Sequence, residues 1–350
     1  MSIIFILYTL HIYLYKIYIK KGICVHSIYR VYKLKGGITM QVGVIGVGTM
    51  GQNHVRVYSE MNGVELVGVS DINEGRVKKI AKSYHTTPYT DHIELLKQDL
   101  DAVSIVVPTT LHKNIAMDVI EYGANLFVEK PIADTPENAD AIIEAANNAG
   151  LKLMVGHIER FNPAVIKLKE IIEKGLLGKI VSISARRVGP FNPRIRDVGI
   201  IIDLGVHDID VMSYLYNKKI SKVYAVAGNG RGIYEDRASI LLHFDEECAG
   251  MIETNWLTPH KVRKLNVVGM EGVAYLDYLE QSLEMYSEKY TRKVKIEKKE
   301  PLKNELEHFI EVVSNGNQPS VKGDDGKRAL QIAMCAMESY KYGKIIEIKA

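Results

Sequence analysis

The sequence predicts an α/β protein: a doubly wound parallel sheet followed by a separate α+β domain. Three observations predict it. From about residue 42 to 155, short apolar runs alternate with helical segments, the pattern of a parallel sheet with crossover helices. A glycine-rich turn ends the first run. From about residue 180 onward several runs instead alternate apolar and polar residues, as an antiparallel sheet with one solvated face would. The 350 residues suit about two domains of ~150 residues. Boundaries are expected at 40–158 and 159–350, with residues 1–39 standing apart.

Residues 1–39 are apolar and Tyr-rich from Ile3 to Tyr15, then carry Lys16, Lys20, Lys21, Arg30, Lys33 and Lys35. The apolar run is too short for a spanning helix, which needs about 20 residues. Its charges follow the run, the reverse of a signal peptide. A strand begins directly after Met40, so the segment is expected to be translated leader and Met40 the true start. A membrane anchor is the competing reading.

A net charge of +3 gives no global reason for nucleic-acid binding, so any anion site must be local. The three cysteines Cys24, Cys248 and Cys335 are far apart, which argues against a disulfide framework or thiolate zinc site and fits a reducing cytoplasm.

Each element of the first half has its local reason. Val42–Ile45 is a buried strand running into Gly46-Val47-Gly48-Thr49-Met50-Gly51, a full G-x-G-x-x-G. A helix follows to about Met61, then a strand over Val64–Val69, then Asp71, 20 residues past Gly51. This context makes the motif a Rossmann dinucleotide fingerprint. Gly46 permits the turn, Gly48 lets the backbone approach a pyrophosphate, and Gly51 lets helix and strand pack closely. The amides at Thr49 and Met50 open the helix and receive phosphate charge. Asp71 is placed to bind the ribose hydroxyls of NAD. A helix over Glu74–Tyr84, a strand over Ala102–Val107, a helix from Leu111, a strand over Asn125–Val128, a helix over Pro136–Ala149 and a strand over Lys152–Val155 complete the half. Ligands sit at the carboxyl ends of such strands, where Pro108, Thr109, His112, Glu129 and Lys130 fall.

Two places offer chemistry. Lys130 stands at a strand end before Pro131, which keeps it out of helical backbone. Asp203 and His207 lie four apart in Asp203-Leu204-Gly205-Val206-His207-Asp208-Ile209-Asp210. On a helix they share a face, so the carboxylate would orient the imidazole as a general base. A metal site of Asp203, His207 and Asp210 is a less favoured reading, because no further ligands stand at recognisable spacing.

Together Gly46–Gly51, Pro108-Thr109-x-x-His112, Glu129-Lys130-Pro131, Arg160-Phe161-Asn162-Pro163 and Asp203-x-x-x-His207 resemble the glucose–fructose oxidoreductase / inositol dehydrogenase / MocA family over residues 41–350. The resemblance implies a C-terminal domain on a large, open, mostly antiparallel sheet whose face joins subunits, hence a homodimer or homotetramer. It also implies a sugar or polyol substrate and a Lys130, Asp203 and His207 catalytic group. One departure is Val198-Gly199-Ile200-Ile201-Ile202, where many members carry a glycine cluster.

In the second half, strands are expected at Ile180–Arg187, Lys222–Ala227, Ala238–Phe244, Ala249–Asn255, Lys264–Val268, Gly272–Asp277 and Ile345–Ile348, with a helix over Gly326–Tyr342. Two basic clusters follow strands, Arg186–Arg196 and Asn255–Lys264. Arginine forks suit a diphosphate better than a free polyol does. The W-L-T-P-H-K-V-R-K run resembles the branch that oxidises UDP-N-acetylglucosamine-type sugars. The expected substrate contacts are Arg160, Asn162, Arg186, Arg187, Asn192, Asn255, Lys261 and Arg263. The expected activity is NAD-dependent oxidation of a sugar hydroxyl, at C3 of such a nucleotide sugar, without metal, membrane or nucleic acid. Two other readings stay open: an inositol or free-sugar dehydrogenase, and a non-catalytic NAD-sensing regulator.

Overall fold

The structure, a computed structural model, describes residues 39–191, 198–230, 234–288 and 291–348. The expected leader lies outside them, apart from Thr39.

The first domain is a six-stranded sheet of β1 (Met40–Ile45), β2 (Val64–Ser70), β3 (Thr87–Tyr89), β4 (Ala102–Ile105), β5 (Asn125–Glu129) and β6 (Leu153–Gly156). Its order is β3-β2-β1-β4-β5-β6 and every neighbouring pair is parallel. β4, β5 and β6 are buried along their whole length, because helices cover both faces. Those helices are α1 (Thr49–Glu60), α2 (Glu74–Ser83), α3 (His92–Leu96), α4 (His112–Glu121) and α5 (Pro136–Asn148). Caps set several starts: Asn73 accepts from Arg76 N–H, and Thr135 from Asn138 N–H ahead of Pro136. The sheet order reverses between β1 and β4, so the crevice for a ligand opens where the glycine turn leaves β1.

The second domain begins with α6 (Pro163–Glu173), for which the sequence reading had no helix. Its nine strands are β7 (Ile180–Pro190), β8 (Ile220–Gly228), β9 (Arg237–Phe244), β10 (Ala249–Asn255), β11 (Leu257–Gly269), β12 (Gly272–Asp277), β13 (Ser282–Tyr286), β14 (Thr291–Lys293) and β15 (Ile346–Glu347). They lie in the order β14-β13-β12-β11-β7-β10-β9-β8-β15, and only β7 with β10 is parallel. The open, mostly antiparallel sheet is as expected. α7 (Val206–Tyr216), α8 (Pro301–Asn315) and α9 (Gly323–Tyr342) complete the chain, and α7 and α9 pack on the sheet. β3, α3, α8, β13 and β14 were not anticipated. β3, α3 and β14 are too short to leave a periodic signal, whereas α8 has one in Leu302, Leu306, Phe309 and Val312.

The pleat sorts this sheet into two faces. On β9, Ala238, Ile240, Leu242 and Phe244 are buried, while Ser239, Leu241 and His243 are exposed. In register across the outer face run Tyr224, Leu241, Met251, Ser184, Asn266 and Tyr275.

Candidate active site at the domain seam

The glycine turn has the geometry a pyrophosphate needs. Gly46 has φ +90°, and a Cβ there would lie 2.2 Å from the Val106 carbonyl oxygen. A Cβ on Gly51 would lie 1.9 Å from Gly46 O, so the close helix–strand approach excludes any side chain. Gly48 has no atom within 4 Å of its would-be Cβ, and this open space is where a ligand can meet the backbone. Asp71, at the end of β2, is held in place. It accepts from Val47 N–H (3.0 Å) and Asn73 N–H (2.9 Å), and pairs with Arg76 at 3.1 Å. These residues fit a dinucleotide.

Two expected cofactor contacts, Glu129 at the end of β5 and His112 at the start of α4, have other partners. The Glu129 carboxylate is buried, facing His54 Nε2 at 3.1 Å and accepting from the Lys130 N–H at 3.1 Å. Burial opposes its charge, but the His54 hydrogen bond and neighbouring Lys130 prevail and hold the carboxyl below the usual range. His112 is 1% exposed, with its ring nitrogens 2.9 Å from the carbonyls of Val107 and Pro131. It ties the β4 and β5 loops together. Pro108 and Thr109 remain on the turn that opens α4.

Lys130 crosses to the second domain. Its Nζ donates to the Asp203 carbonyl at 2.8 Å and lies 3.5 Å from the Asp203 carboxylate, with both side chains under one-fifth exposed. The Lys130–Pro131 peptide is cis. Residues Ile201–Gly205 form a π-turn ahead of α7. This wider turn corrects the expected Asp203–His207 pair: the two make no hydrogen bond, and Asp203 serves Lys130 instead. His207 Nδ1 is buried without a partner. Burial, then Lys130, Arg187, His157 and Arg263, push its pKa well below the ordinary imidazole value, so the ring is neutral near neutral pH. Asp210 forms a bidentate pair with Arg160, and no cluster of three or more metal-binding side chains occurs among the described residues.

The expected substrate contacts separate. Arg187 is fully buried: Nε and Nη2 meet Asp208 at 2.9 and 3.0 Å, and Nη1 meets Glu159 at 2.8 Å. Its guanidinium also lies 4.9 Å from the Tyr278 ring centroid. Arg186 points to the opposite, exposed face and pairs with Glu253. Arg160 is held by Asp210 and the Ser320 carbonyl. Asn162 caps α6 and donates to Tyr278 O. The Asn255 side-chain oxygen closes its own turn onto Leu257 and Thr258. All five have protein partners in this structure, with Arg186 on the outer face. Asn192 lies outside the described residues. Lys261 is exposed, and Arg263 keeps 29% exposure beside Glu159 (3.6 Å).

One neighbour was missed. Glu129 pairs in register with Gly156, so Lys130 and His157 leave adjacent strands side by side. His157 is buried, 3.6 Å from Asp210, with neither ring nitrogen hydrogen-bonded. Its signal was its place at a strand end.

Residues 40–157 match the oxidoreductase family with an NAD-binding Rossmann fold, and residues 165–275 match the GFO/IDH/MocA C-terminal domain. The chain belongs to this GFO/IDH/MocA oxidoreductase family, and its cofactor is NAD. It is 27% identical over 307 residues to the UDP-N-acetylglucosamine 3-dehydrogenase of Acidithiobacillus ferrooxidans, covering 85% of this chain and 96% of that one. It is 28% identical over 333 residues to the scyllo-inositol 2-dehydrogenase (NAD(+)) of Bacillus subtilis, covering 88% and 96%. A solved structure of the Acidithiobacillus ferrooxidans enzyme superposes with TM-score 0.81 at 28% identity, covering 87% of this chain and 99% of that one.

NAD should bind more tightly than NADP. The 2′-phosphate would face Asp71, and like charges ~4 Å apart repel by roughly 1–4 kcal/mol between water and a protein surface. Arg76 is already engaged by that carboxylate. Titration of both cofactors against the wild type and Asp71→Ala checks this. The substitution should narrow the gap, and equal or tighter NADP binding by the wild type contradicts it.

Proposed function

We propose that this chain oxidises the C3 hydroxyl of a UDP-N-acetylhexosamine, with UDP-N-acetylglucosamine the first compound to try. The observation that carries the reading is the seam itself: Lys130, from the end of a dinucleotide-domain strand, meets Asp203 one turn before His207 of the second domain. NAD, held at Gly46–Gly51 and Asp71, supplies the hydride acceptor. His207, kept neutral, accepts the hydroxyl proton. Lys130 stabilises the alkoxide that develops as the hydride leaves. Asp203 holds Lys130 rather than His207. Arg263 and Lys261 are the remaining cations offered to a diphosphate, which suits a nucleotide sugar. Similarity to the UDP-N-acetylglucosamine 3-dehydrogenase supports the same choice. An inositol dehydrogenase is the second reading, favoured by an equal likeness to the scyllo-inositol enzyme. A cofactor-sensing role would not need Lys130, Asp203 and His207 together.

The test compares NADH formation from UDP-N-acetylglucosamine, free N-acetylglucosamine and myo-inositol. The nucleotide sugar should lead in both kcat and KM, because remote binding energy holds the hydroxyl in place. A clear preference for inositol would overturn the choice. Arg263→Ala should raise KM for the nucleotide sugar, less so at high salt. Because His207 is held neutral, kcat should show no acid limb near the ordinary imidazole value of 6.5.

We also propose that the outer sheet face, with Tyr224, Leu241, Met251 and Tyr275 exposed along one row, joins subunits into a homodimer or homotetramer. Among the described residues no helix is long and apolar enough to cross a membrane, and we propose a cytoplasmic enzyme.

A further inference from the structure

Behind the Glu129-Lys130-Pro131 loop lies a polar cluster that takes no part in the steps above. Glu305, on α8, is completely buried, and neither carboxyl oxygen has a hydrogen-bond partner. Buried polar groups are nearly always satisfied, so an orphaned acid calls for an explanation. Its surroundings are specific. One turn further along α8, Phe309 packs edge-on against Phe127 of β5 at 5.6 Å, and Phe127 packs against the His54 ring at 5.3 Å. His54, on α1, faces Glu129 through Nε2, while its Nδ1 is buried without a partner. Glu129 in turn accepts the backbone N–H of Lys130.

The cluster therefore ties three elements to the reacting lysine: α8, the cofactor helix α1 and the end of β5. We infer that Glu305, acting with His54 and Glu129, is a positioning residue that sets where Lys130 stands at the seam. This rests on the role given to Lys130 above. The titratable groups that act on Glu305 are Glu129 from the β5 end, Glu159 from the turn after β6 and Asp210 from α7, and Tyr58 of α1 feels its charge in turn. Burial, then the carboxylates of Glu129, Asp210 and Glu159, hold the Glu305 carboxyl well above its usual range, so it carries a proton near neutral pH. In that state the Glu129–Glu305 pair holds one negative charge. Loss of the Glu305 proton on the alkaline side adds a second beside Glu129 and disturbs the loop that presents Lys130.

Three measurements test this: kcat against pH, KM for NAD, and the rate at which an amine-selective acylating reagent labels Lys130, read by peptide mapping. Glu305→Leu should lower kcat about tenfold or more, as small misplacements of reacting groups do, with KM for NAD unchanged and Lys130 labelling altered. Glu305→Gln, a neutral isostere of the protonated acid, should restore most of that loss at neutral pH and lack the alkaline limb of the wild type. Wild-type kcat and Lys130 labelling in Glu305→Leu would overturn the inference. So would a Glu305→Gln variant as impaired as Glu305→Leu with a pH profile parallel to wild type, since that marks a merely structural residue. The labelling needs no substrate, so a failure of the dehydrogenase reading and a failure of this one are told apart.

Discussion

Lys130→Met should lower kcat by roughly a hundredfold or more, the scale of losing a preorganised charge at a developing oxyanion. The substitution keeps most of the unbranched apolar stem and removes the cation with its hydrogen-bond donors. Nζ reaches from the residue after β5 to both the carbonyl and the carboxylate of Asp203. NAD affinity should persist, because Gly46, Gly48 and Gly51 shape the turn and Asp71 is fixed by Val47, Asn73 and Arg76. Steady-state kinetics with a parallel NAD titration measure both. A near-normal kcat would remove Lys130 from the chemistry, and lost NAD binding would show that the lysine serves the cofactor instead.

Arg187→Leu should destabilise the fold by roughly 3–5 kcal/mol, the cost of stranding a buried ion-pair partner. Its guanidinium satisfies Asp208 and Glu159 at once, all three being buried, and the Tyr278 ring covers it. Arg187→Lys should recover little, because a point ammonium cannot make the bidentate contact with Asp208. Denaturant unfolding checks this. A loss below about 1 kcal/mol, together with a raised KM for the nucleotide sugar, would return Arg187 to the substrate role first expected from its neighbours in sequence.

The difference between those expectations shows what one dimension conveys. The parallel half was legible because its signals are local: strand runs, the glycine spacing and Asp71 all fall within about thirty residues. The basic clusters do not stay together in space, because adjacent residues on a strand face opposite ways. Arg186 and Lys264 pair in register on the outer face, while Arg187 and Arg263 pair on the inner one. The partners that neutralise Arg187 lie 21 and 28 residues away, beyond any local pattern. The spacing of Asp203 and His207 assumed an α-helix, and the chain makes a π-turn there. Glu305 could have been noticed. It stands between Leu302 and Phe309 on the apolar stripe of α8, where an acid has no ordinary place.

The proposed reaction moves a hydride from C3 of a UDP-N-acetylhexosamine to NAD. The direct measurement uses UDP-N-acetylglucosamine deuterated at C3 and follows the label. Deuterium should appear at C4 of the reduced nicotinamide in the wild type, at a rate that falls with Lys130→Met. Reduced cofactor without deuterium, or no reduction from the nucleotide sugar while inositol reacts, would contradict the account.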